Sequence, residues 1–175
     1  NIQDLISFGN ALDFQVEEIP AQEINDVSVS STKIRNALQE GDIITANKYL
    51  SYPYMLTGTV KKGKGLGKQF GFPTANLNIA EKYKLIPKNG VYVVKSRWDD
   101  RDYFGMMNIG YNPTVSGKKK SIEINFFEFD GNLYGKKIQV DLLHRIRDEH
   151  KFNSVEELKE QLKKDKQTSL DLISS

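Results

Sequence analysis

The segment VYVVKSRWDDRDYFGMMNI, residues 91–109, says more about the expected architecture than any other part of this 175-residue chain. Two apolar and aromatic runs, Val91 to Trp98 and Tyr103 to Ile109, flank four charged residues at positions 99–102. Short β-branched and aromatic runs on either side of a polar turn are typical of a β-hairpin. The segment therefore predicts an antiparallel pair of strands in the middle of the chain.

Strand-like segments continue on both sides of this hairpin. Residues 54–62 predict one strand, and residues 121–129 and 133–143 predict a second hairpin. Its turn is expected at Asp130-Gly131-Asn132, because Asp-Gly is a strong hairpin signal. The lysine run at 118–120 is interpreted as a solvated loop.

The C-terminal segment has the pattern of a helix. Ser154 and Glu157 make a capping box, and Val155, Leu158 and Leu162 then recur at helical spacing. About six strands followed by one helix predict a mainly β fold, a small closed antiparallel barrel with the helix packed against its outside.

The first fifty residues have a different pattern. One of the serines at positions 30–31 can cap a helix that Gly41 ends, and Asp42 can begin a second, short helix. Pro53 breaks the helical pattern, so a domain boundary is predicted directly before it. Residues 1–26 mix apolar and acidic positions, and we expect them to be the edge of a larger unit.

Composition excludes several classes of protein. The chain has no cysteine, which rules out disulfides and cysteine-ligated metal sites and suits a reducing cytoplasm. Twenty-five basic and 23 acidic residues give a net charge of +2, which offers no reason to expect a nucleic-acid partner. The apolar runs are far shorter than a membrane span, so no membrane association is expected.

A glycine-rich segment after the first strand is a candidate phosphate-binding loop. Glycines let the backbone approach a phosphate closely, and lysines add positive charge. The segment is neither a Walker loop nor a dinucleotide fingerprint, and a flexible hairpin loop explains its glycines equally well. The candidate residues are Gly63, Lys64, Gly65, Gly67, Lys68 and Gly71.

Thr74 and Asn76 are candidate metal ligands. They are two residues apart, so on an extended chain their side chains face the same way. A hydroxyl and an amide oxygen are hard ligands that Mg²⁺ accepts beside nucleotide phosphates. Ordinary turn chemistry after Pro73 is the alternative explanation.

Glu123 is a candidate catalytic residue on a predicted strand. Alternation separates an apolar face from a polar one, namely Ile122, Ile124 and Phe126 from Glu123 and Asn125. The polar pair can equally be the solvated side of the strand. Phe127 and Phe129 then continue in the other phase, which indicates a bulge or burial on both faces.

Five motifs in order resemble those of the riboflavin kinase family, and their spacing agrees over roughly residues 53–170. They are Gly71-Phe72-Pro73-Thr74-Ala75-Asn76, Asn89-Gly90-Val91-Tyr92, Asn108-Ile109-Gly110-Tyr111-Asn112-Pro113-Thr114, Ile122-Glu123 with Phe129–Gly135, and Arg147–Phe152. The resemblance implies a six-stranded Greek-key barrel of the riboflavin kinase type. It also implies transfer of the γ-phosphate of ATP to the ribityl 5′-hydroxyl of riboflavin, which gives FMN and ADP.

The resemblance further implies a role for each matching position. The glycine-rich loop would cover the ATP phosphates, Thr74 and Asn76 would bind Mg²⁺ and the nucleotide, and Glu123 would be the base near the 5′-hydroxyl. Asn108 would shape the nucleotide side, while Arg147 and the C-terminal helix would help to form the flavin site. Many bacterial members carry arginine where this chain has Asn112, so a phosphate contact made by that arginine cannot be transferred.

A second resemblance concerns the N-terminal part. Ser30-Ser31-Thr32-x-Ile34-Arg35 is similar to a motif of the adenylyltransferase domain that precedes the kinase in bacterial FAD synthetases, whereas the His-x-Gly-His motif of that domain does not occur in this chain. Residues 1–52 are therefore expected to be a remnant of that domain with linker helices, and residues 53–175 the kinase domain. Adenylylation of FMN to FAD is expected of the full-length parent but not of this chain.

The alternative is a non-catalytic β-barrel module that binds a flavin or a nucleotide. An oligonucleotide-binding barrel would carry a basic groove with stacking aromatics, which the near-neutral charge argues against. A flavin sensor would share most of the motifs, so turnover of ATP with riboflavin is the discriminating observation.

Overall fold

The computed structural model describes residues 2–12, 15–16, 23–24, 27–62, 71–114 and 117–175. The chain divides into two compact units, Asn1–Ser30 and Ser31–Ser175. The first unit contains helix α1 (Ile2–Ala11) and a short antiparallel pair of strands, β1 (Glu23–Ile24) and β2 (Val27–Ser28).

The second unit contains three helices and six strands among the described residues. The helices are α2 (Ser31–Glu40), α3 (Ile43–Leu50) and α4 (Val155–Ser174). The strands are β3 (Tyr54–Lys61), β4 (Ala75–Asn78), β5 (Gly90–Trp98), β6 (Arg101–Thr114), β7 (Gly117–Phe126) and β8 (Lys137–Arg147).

The six strands close into an antiparallel barrel in the order β3-β4-β7-β6-β5-β8. Alternate residues point inward and fill the interior, among them Leu56, Val60, Tyr92, Met107, Ile124 and Leu142, all at most 1% exposed. Burying each such side chain contributes roughly 1.5–3 kcal/mol. The predicted fold class, a closed six-stranded antiparallel barrel with a C-terminal helix, is confirmed.

The central hairpin is confirmed with a tighter turn than the sequence indicates. β5 and β6 pair from Gly90↔Ile109 to Trp98↔Arg101, so Asp99 and Asp100 alone make the turn. Their φ angles are 51° and 56°, as a type I′ turn requires at both central positions. At the base of the turn Trp98 stacks on Tyr103, with ring centroids 4.0 Å apart.

The second predicted hairpin is wrong, although both of its strands exist. β7 pairs with β4 and β6, whereas β8 pairs with β3 and β5. The chain reverses separately at Glu128 (φ 52°) and Gly135 (φ 79°). Val60 of β3 then exchanges main-chain hydrogen bonds with Gly135 and Lys136, at 2.8 and 2.9 Å. This long-range pairing carries the chain across to β3 instead of back onto β7.

Two smaller interpretations are also settled by the course of β7. The lysine run at 118–120, interpreted as a loop, belongs to this strand, because the pairing of β6 with β7 continues to Thr114↔Gly117. The change of phase after Phe126 reflects burial on both faces. Phe126 joins the core inside the barrel, and Phe127 is buried in a separate apolar cluster.

The predicted helix boundaries near the barrel are confirmed. α2 ends directly before Gly41, and Asp42 caps α3 by accepting a hydrogen bond from the Thr45 N–H at 3.0 Å. Leu38, Ile43 and Ala46 of these helices are buried in the same core as the barrel interior. Both helices therefore belong to one compact unit with the barrel, while the boundary before Pro53 stays a prediction.

Tyr54 fastens the start of β3 to the loop that precedes β5. Its hydroxyl donates a hydrogen bond to the Leu85 carbonyl at 2.8 Å, and the Lys84 Nζ atom lies 4.4 Å from the ring centroid. Burial raises the pKa of Tyr54 to about 12, from an ordinary value of 10.0.

We predict that Tyr54 makes the protein lose stability at alkaline pH. Because the folded state holds this proton more tightly than the unfolded state, the stabilisation is complete below pH 10 and is lost as pH rises towards 12. Urea unfolding across this range should show that the free energy of unfolding falls less steeply with pH for Tyr54→Phe than for the parent. Replacing Tyr83, which is 87% exposed, by phenylalanine should leave the slope of the parent unchanged. Equal slopes for all three proteins would contradict the prediction.

Candidate active site

Three of the predicted site residues lie side by side on neighbouring strands. Glu123 of β7 is directly opposite Asn76 of β4 on one side and Asn108 of β6 on the other. Residues opposite each other across a ladder share one face of the sheet. The residues that flank them point into the core, namely Leu77, Ile122, Ile124, Met107 and Ile109. The polar row Asn76–Glu123–Asn108 therefore lies on the outer face of the barrel.

The same row continues across two more strands. Asn108 is opposite Val91 of β5, and Val91 is opposite Arg147 of β8. Three strand spacings separate Glu123 from Arg147, which is roughly 14 Å between the strand axes. Glu123 and Arg147 thus share one outer face without being in contact.

An apolar cluster lies beside this row, between the barrel and α4, and we call it the outer cluster. Its buried members are Val91, Met106 and Phe127, and Phe72, Phe104, Ile146, Leu162 and Ile173 pack against them. This cluster was not predicted from the sequence. The unbroken buried run from Val91 to Val94 was the available signal, because it indicates a strand covered on both faces.

A cleft of about 380 Å³ opens at the end of the barrel where β4 begins and β7 ends. Its walls include Pro73, Thr74, Phe126, Phe129, Asn132 and Tyr134. The volume falls within the range of roughly 300–1,000 Å³ typical of small-molecule sites. Trp98, the single tryptophan of the chain, lies edge-on to Phe126 and Phe129, with centroids 5.1 and 5.3 Å away. The turn of the central hairpin therefore supports one wall of the cleft.

The segment that leads into β4 connects the cleft with the row. Gly71 has a φ of 80°, and a Cβ atom there would meet nothing within 4 Å, so backbone conformation rather than crowding favours glycine. Asn125 donates a hydrogen bond from Nδ2 to the Pro73 carbonyl at 2.8 Å. The other predicted loop residues, Gly63, Lys64, Gly65, Gly67 and Lys68, lie outside the described residues.

Arg147 holds α4 against the barrel. Its Nε atom donates to Asp165 Oδ1 at 3.0 Å, its Nη2 atom donates to Asp165 Oδ2 at 2.7 Å, and its Nη1 atom donates to the Asp148 carbonyl at 3.0 Å. Asp165 is only 1% exposed and also accepts from Gln161 at 2.8 Å. Asp165 stands in a lysine-rich stretch that resembles a solvated face, so this ion pair could not be predicted from the sequence.

The loop after β8 is fixed to the barrel by two carboxylates. A hydrogen bond from Arg145 at 2.6 Å holds the pKa of Asp148 below its ordinary value. Glu149 accepts from the Tyr111 N–H at 3.3 Å, and a Cβ atom at Gly110 would overlap its Oε1 atom. The motif around Gly110 and the motif Arg147–Phe152 are therefore parts of one contact.

The described residues include no group of three or more histidine, cysteine or acidic side chains that could hold a metal ion. Thr74 and Asn76 offer neutral oxygens instead. Such donors suit Mg²⁺ that arrives with nucleotide phosphates, because the phosphates supply the negative charge.

We predict that Asp165→Asn lowers the free energy of unfolding by about 3 kcal/mol, because it breaks a buried ion pair. This value is at the lower end of the range for such pairs, since the Arg147 side chain is 22% exposed. Lys163→Ala is the control on the same helix. It removes the exposed pair with Glu160 and should cost about 0–1 kcal/mol. Urea unfolding measures both, and similar losses for the two variants would contradict a special role of Asp165.

Comparison with known proteins identifies the family. The family model described as "Flavokinase: Riboflavin kinase" matches residues 50–173. A bifunctional riboflavin kinase/FMN adenylyltransferase of Bacillus subtilis is 42% identical over 163 residues, which are 91% of this chain and 50% of that protein. The corresponding protein of Listeria monocytogenes is 43% identical over 155 residues, which are 88% of this chain and 49% of that protein. The chain thus spans about half the length of these relatives.

Two solved structures are similar to this chain. A Streptococcus pneumoniae protein described as a macrolide-efflux protein has a TM-score of 0.86 and 36% identity, over 97% of this chain and 54% of that one. Riboflavin kinase from Trypanosoma brucei has a TM-score of 0.51 and 26% identity, over 70% of this chain and 81% of that one. In the described part of the chain, no helix has the length and apolar character needed to cross a membrane.

The family match covers the whole barrel and α4, and it includes the polar row, the cleft and the outer cluster. The chain belongs to the riboflavin kinase family.

Proposed function

We propose that this domain transfers the γ-phosphate of ATP to the ribityl 5′-hydroxyl of riboflavin and releases FMN and ADP. The observation that carries the proposal is the pairing of Glu123 with Asn76, two residues from Thr74 in the cleft, and with Asn108, which is opposite Val91 of the outer cluster. A carboxylate between two chemically different binding surfaces suits a reaction that joins two different substrates. The names of the relatives, riboflavin kinase/FMN adenylyltransferase, support the same reaction.

The cleft is the proposed site of the nucleotide. Phe126, Phe129 and Tyr134 offer aromatic surface for a base, and Thr74 and Asn132 offer polar groups. The glycine-rich loop, from Gly63 to Gly71 with Lys64 and Lys68, is proposed to cover the phosphates. Since Thr74 lines the cleft and Asn76 stands beside Glu123, the γ-phosphate would be directed from the cleft towards the polar row.

The outer cluster is the proposed site of the isoalloxazine ring. A flavin ring needs an apolar surface, which the partly buried members Phe72, Phe104 and Ile146 would supply at the margin of the cluster. The ribityl chain would then run along the outer face towards Glu123. Arg147 contributes by fixing α4 through Asp165, so its proposed part in flavin binding is indirect.

Thr74 and Asn76 are the proposed ligands of a Mg²⁺ ion that enters with ATP. When bound, the ion would offset negative charge on the phosphates. Main-chain N–H groups of the glycine-rich loop would add to this electrostatic stabilisation.

The proposed chemical step is an in-line transfer that depends mainly on positioning. The attacking hydroxyl and the γ-phosphate must be held in line, and the transition state is loose, so the protein contributes orientation and charge compensation more than proton transfer. Glu123 would accept the proton of the 5′-hydroxyl as the oxygen attacks. Asn108, beside Glu123 on β6, would orient that carboxylate or the nucleotide.

For the complete protein we propose a bifunctional enzyme that also adenylylates FMN to FAD in the cytoplasm. Residues 1–52 would be the end of the adenylyltransferase domain with linker helices, and residues 53–175 the kinase domain. The alternative, a non-catalytic flavin- or nucleotide-binding barrel, does not account for a carboxylate between the cleft and the outer cluster.

The test of the proposed function is product analysis. Residues 1–175 should convert riboflavin and ATP to FMN when Mg²⁺ is present, and should form no FAD. Chromatography with mass spectrometry identifies both products, and samples without Mg²⁺ or with ADP in place of ATP serve as controls. Binding of riboflavin without any turnover would support the non-catalytic alternative and overturn the proposal.

Glu123→Gln separates chemistry from binding. It keeps the size of the side chain but cannot accept the proton, so kcat should fall by about a hundred-fold to ten-thousand-fold while both substrates still bind. Glu128→Gln is the matched control, since Glu128 is exposed in the turn after β7, and should leave kcat unchanged. Steady-state kinetics with flavin-fluorescence titration measures both effects. A change in KM alone would mean that Glu123 only holds substrate.

A further inference from the structure

Asn125 stands out as a polar residue that is buried on the outer face of the barrel. It is 7% exposed, two residues beyond Glu123 on β7. Its neighbours on the strand, Ile124 and Phe126, point into the core, so the Asn125 side chain leaves the barrel on the same side as Glu123. Burying an amide side chain is costly unless its hydrogen bonds are made. A specific partner is therefore expected for it.

That partner is the main chain just before β4. The Asn125 Nδ2 atom donates to the Pro73 carbonyl oxygen at 2.8 Å. A proline has no N–H group, so the carbonyl is the one main-chain group through which residue 73 can form a conventional hydrogen bond. The Asn125 amide thus anchors the peptide unit that joins Pro73 to Thr74.

The anchor lies where the regular pairing of β4 with β7 stops. The ladder consists of Ala75↔Ile124 and Asn76↔Glu123. Continued by one step, it would set Thr74 opposite Asn125, but the main-chain pairing ends at Ala75. Beyond this point the Asn125 side chain, and no longer the main chain, bonds the residues before β4 to β7.

The position of Asn125 is itself tightly constrained by β6. Met106 is its direct neighbour across the ladder, and a Cβ atom at Gly105 would lie 2.4 Å from the Asn125 carbonyl oxygen. Strand β6 therefore passes close to β7 at this residue. Because Asn125 and Glu123 share one strand, a fixed Asn125 also fixes the distance from the anchored segment to Glu123.

We infer that Asn125 is a positioning residue for the nucleotide side of the site. Its hydrogen bond to Pro73 sets the direction in which the Thr74 hydroxyl enters the cleft relative to Glu123. The inference rests on the proposed function, in which Thr74 binds the magnesium–nucleotide complex. Asn125 itself touches neither substrate in this role, so its loss should weaken nucleotide binding and leave riboflavin binding unchanged.

The test compares two asparagines that make the same kind of bond. Asn125→Leu removes the donor at similar size. Asn47→Leu removes a donor that bonds to the Leu142 carbonyl at 2.8 Å, between α3 and β8. Isothermal titration with Mg²⁺–ADP should show binding about ten-fold weaker for Asn125→Leu than for the parent, as expected when a part-buried hydrogen bond is lost. Asn47→Leu should lower the melting temperature but bind Mg²⁺–ADP like the parent.

Kinetics and a double-mutant cycle make the test specific. KM for Mg²⁺–ATP should rise about ten-fold in Asn125→Leu while the dissociation constant of riboflavin stays within two-fold of the parent. In a Thr74→Val background, Asn125→Leu should add little further loss, because both changes act on the same contact. Additive losses, or parent-like nucleotide binding in folded Asn125→Leu, would overturn the inference.

Two further outcomes remain informative. Should Asn125→Leu fail to fold, the smaller Asn125→Ser, whose hydroxyl is too short to reach the Pro73 carbonyl, is measured in the same way and is held to the same ten-fold criterion. If the parent forms FMN and Asn125→Ser binds Mg²⁺–ADP like the parent, the inference is rejected and the proposed function stands. A parent that forms no FMN and binds no Mg²⁺–ADP would reject both.

Discussion

The register of β7 between β4 and β6 is the constraint on which the site depends. Each residue of β7 points either into the filled interior or onto the outer face, and its neighbours on both sides must follow the same alternation. A slip of one residue would turn Ile122 and Ile124 outward and bury Glu123 in the core. The apolar residues therefore fix the location of the polar ones, although they take no part in the chemistry. Asn76, Glu123 and Asn108 stand in line because Leu77, Ile124 and Met107 pack together.

A filled interior also explains why one candidate binding surface lies at an end of the barrel and the other on its outer face. Large side chains such as Tyr92 and Met107 occupy the space within the strands. Ligands must then bind against loops and the helix that surround the sheet. The outer cluster exists because α4 covers part of the outer face, and α4 is held there by the buried pair of Arg147 and Asp165. The buried ion pair and the candidate binding surface thus both depend on the same helix.

The sequence allowed the fold class, the central hairpin and the helix caps to be predicted, because each depends on local signals. One strong local signal, however, led to a wrong prediction of strand pairing. Asp130-Gly131 predicted a hairpin, but the pairing of residues 135–136 with Val60 lies more than seventy positions away along the chain and leaves no local mark. The grouping of Asn76, Glu123 and Asn108 was expected from family motifs and agrees with the strand register, while their roles stay predictions. The burial of Asp165 could not be foreseen, since it depends on where α4 docks, whereas the apolar run from Val91 to Val94 was a signal for the outer cluster.

Gly110 and Glu149 show how two distant parts of the sequence come to behave as one unit. The carboxylate of Glu149 occupies the volume that any side chain at position 110 would need, and it also accepts a hydrogen bond from the next main-chain N–H. Because the Glu149 side chain is exposed, a side chain at position 110 would push its carboxylate aside and break this hydrogen bond. A chimera that takes the end of β6 from a relative without glycine at the matching position would therefore lose this link to the loop after β8. Moving both segments together would keep it.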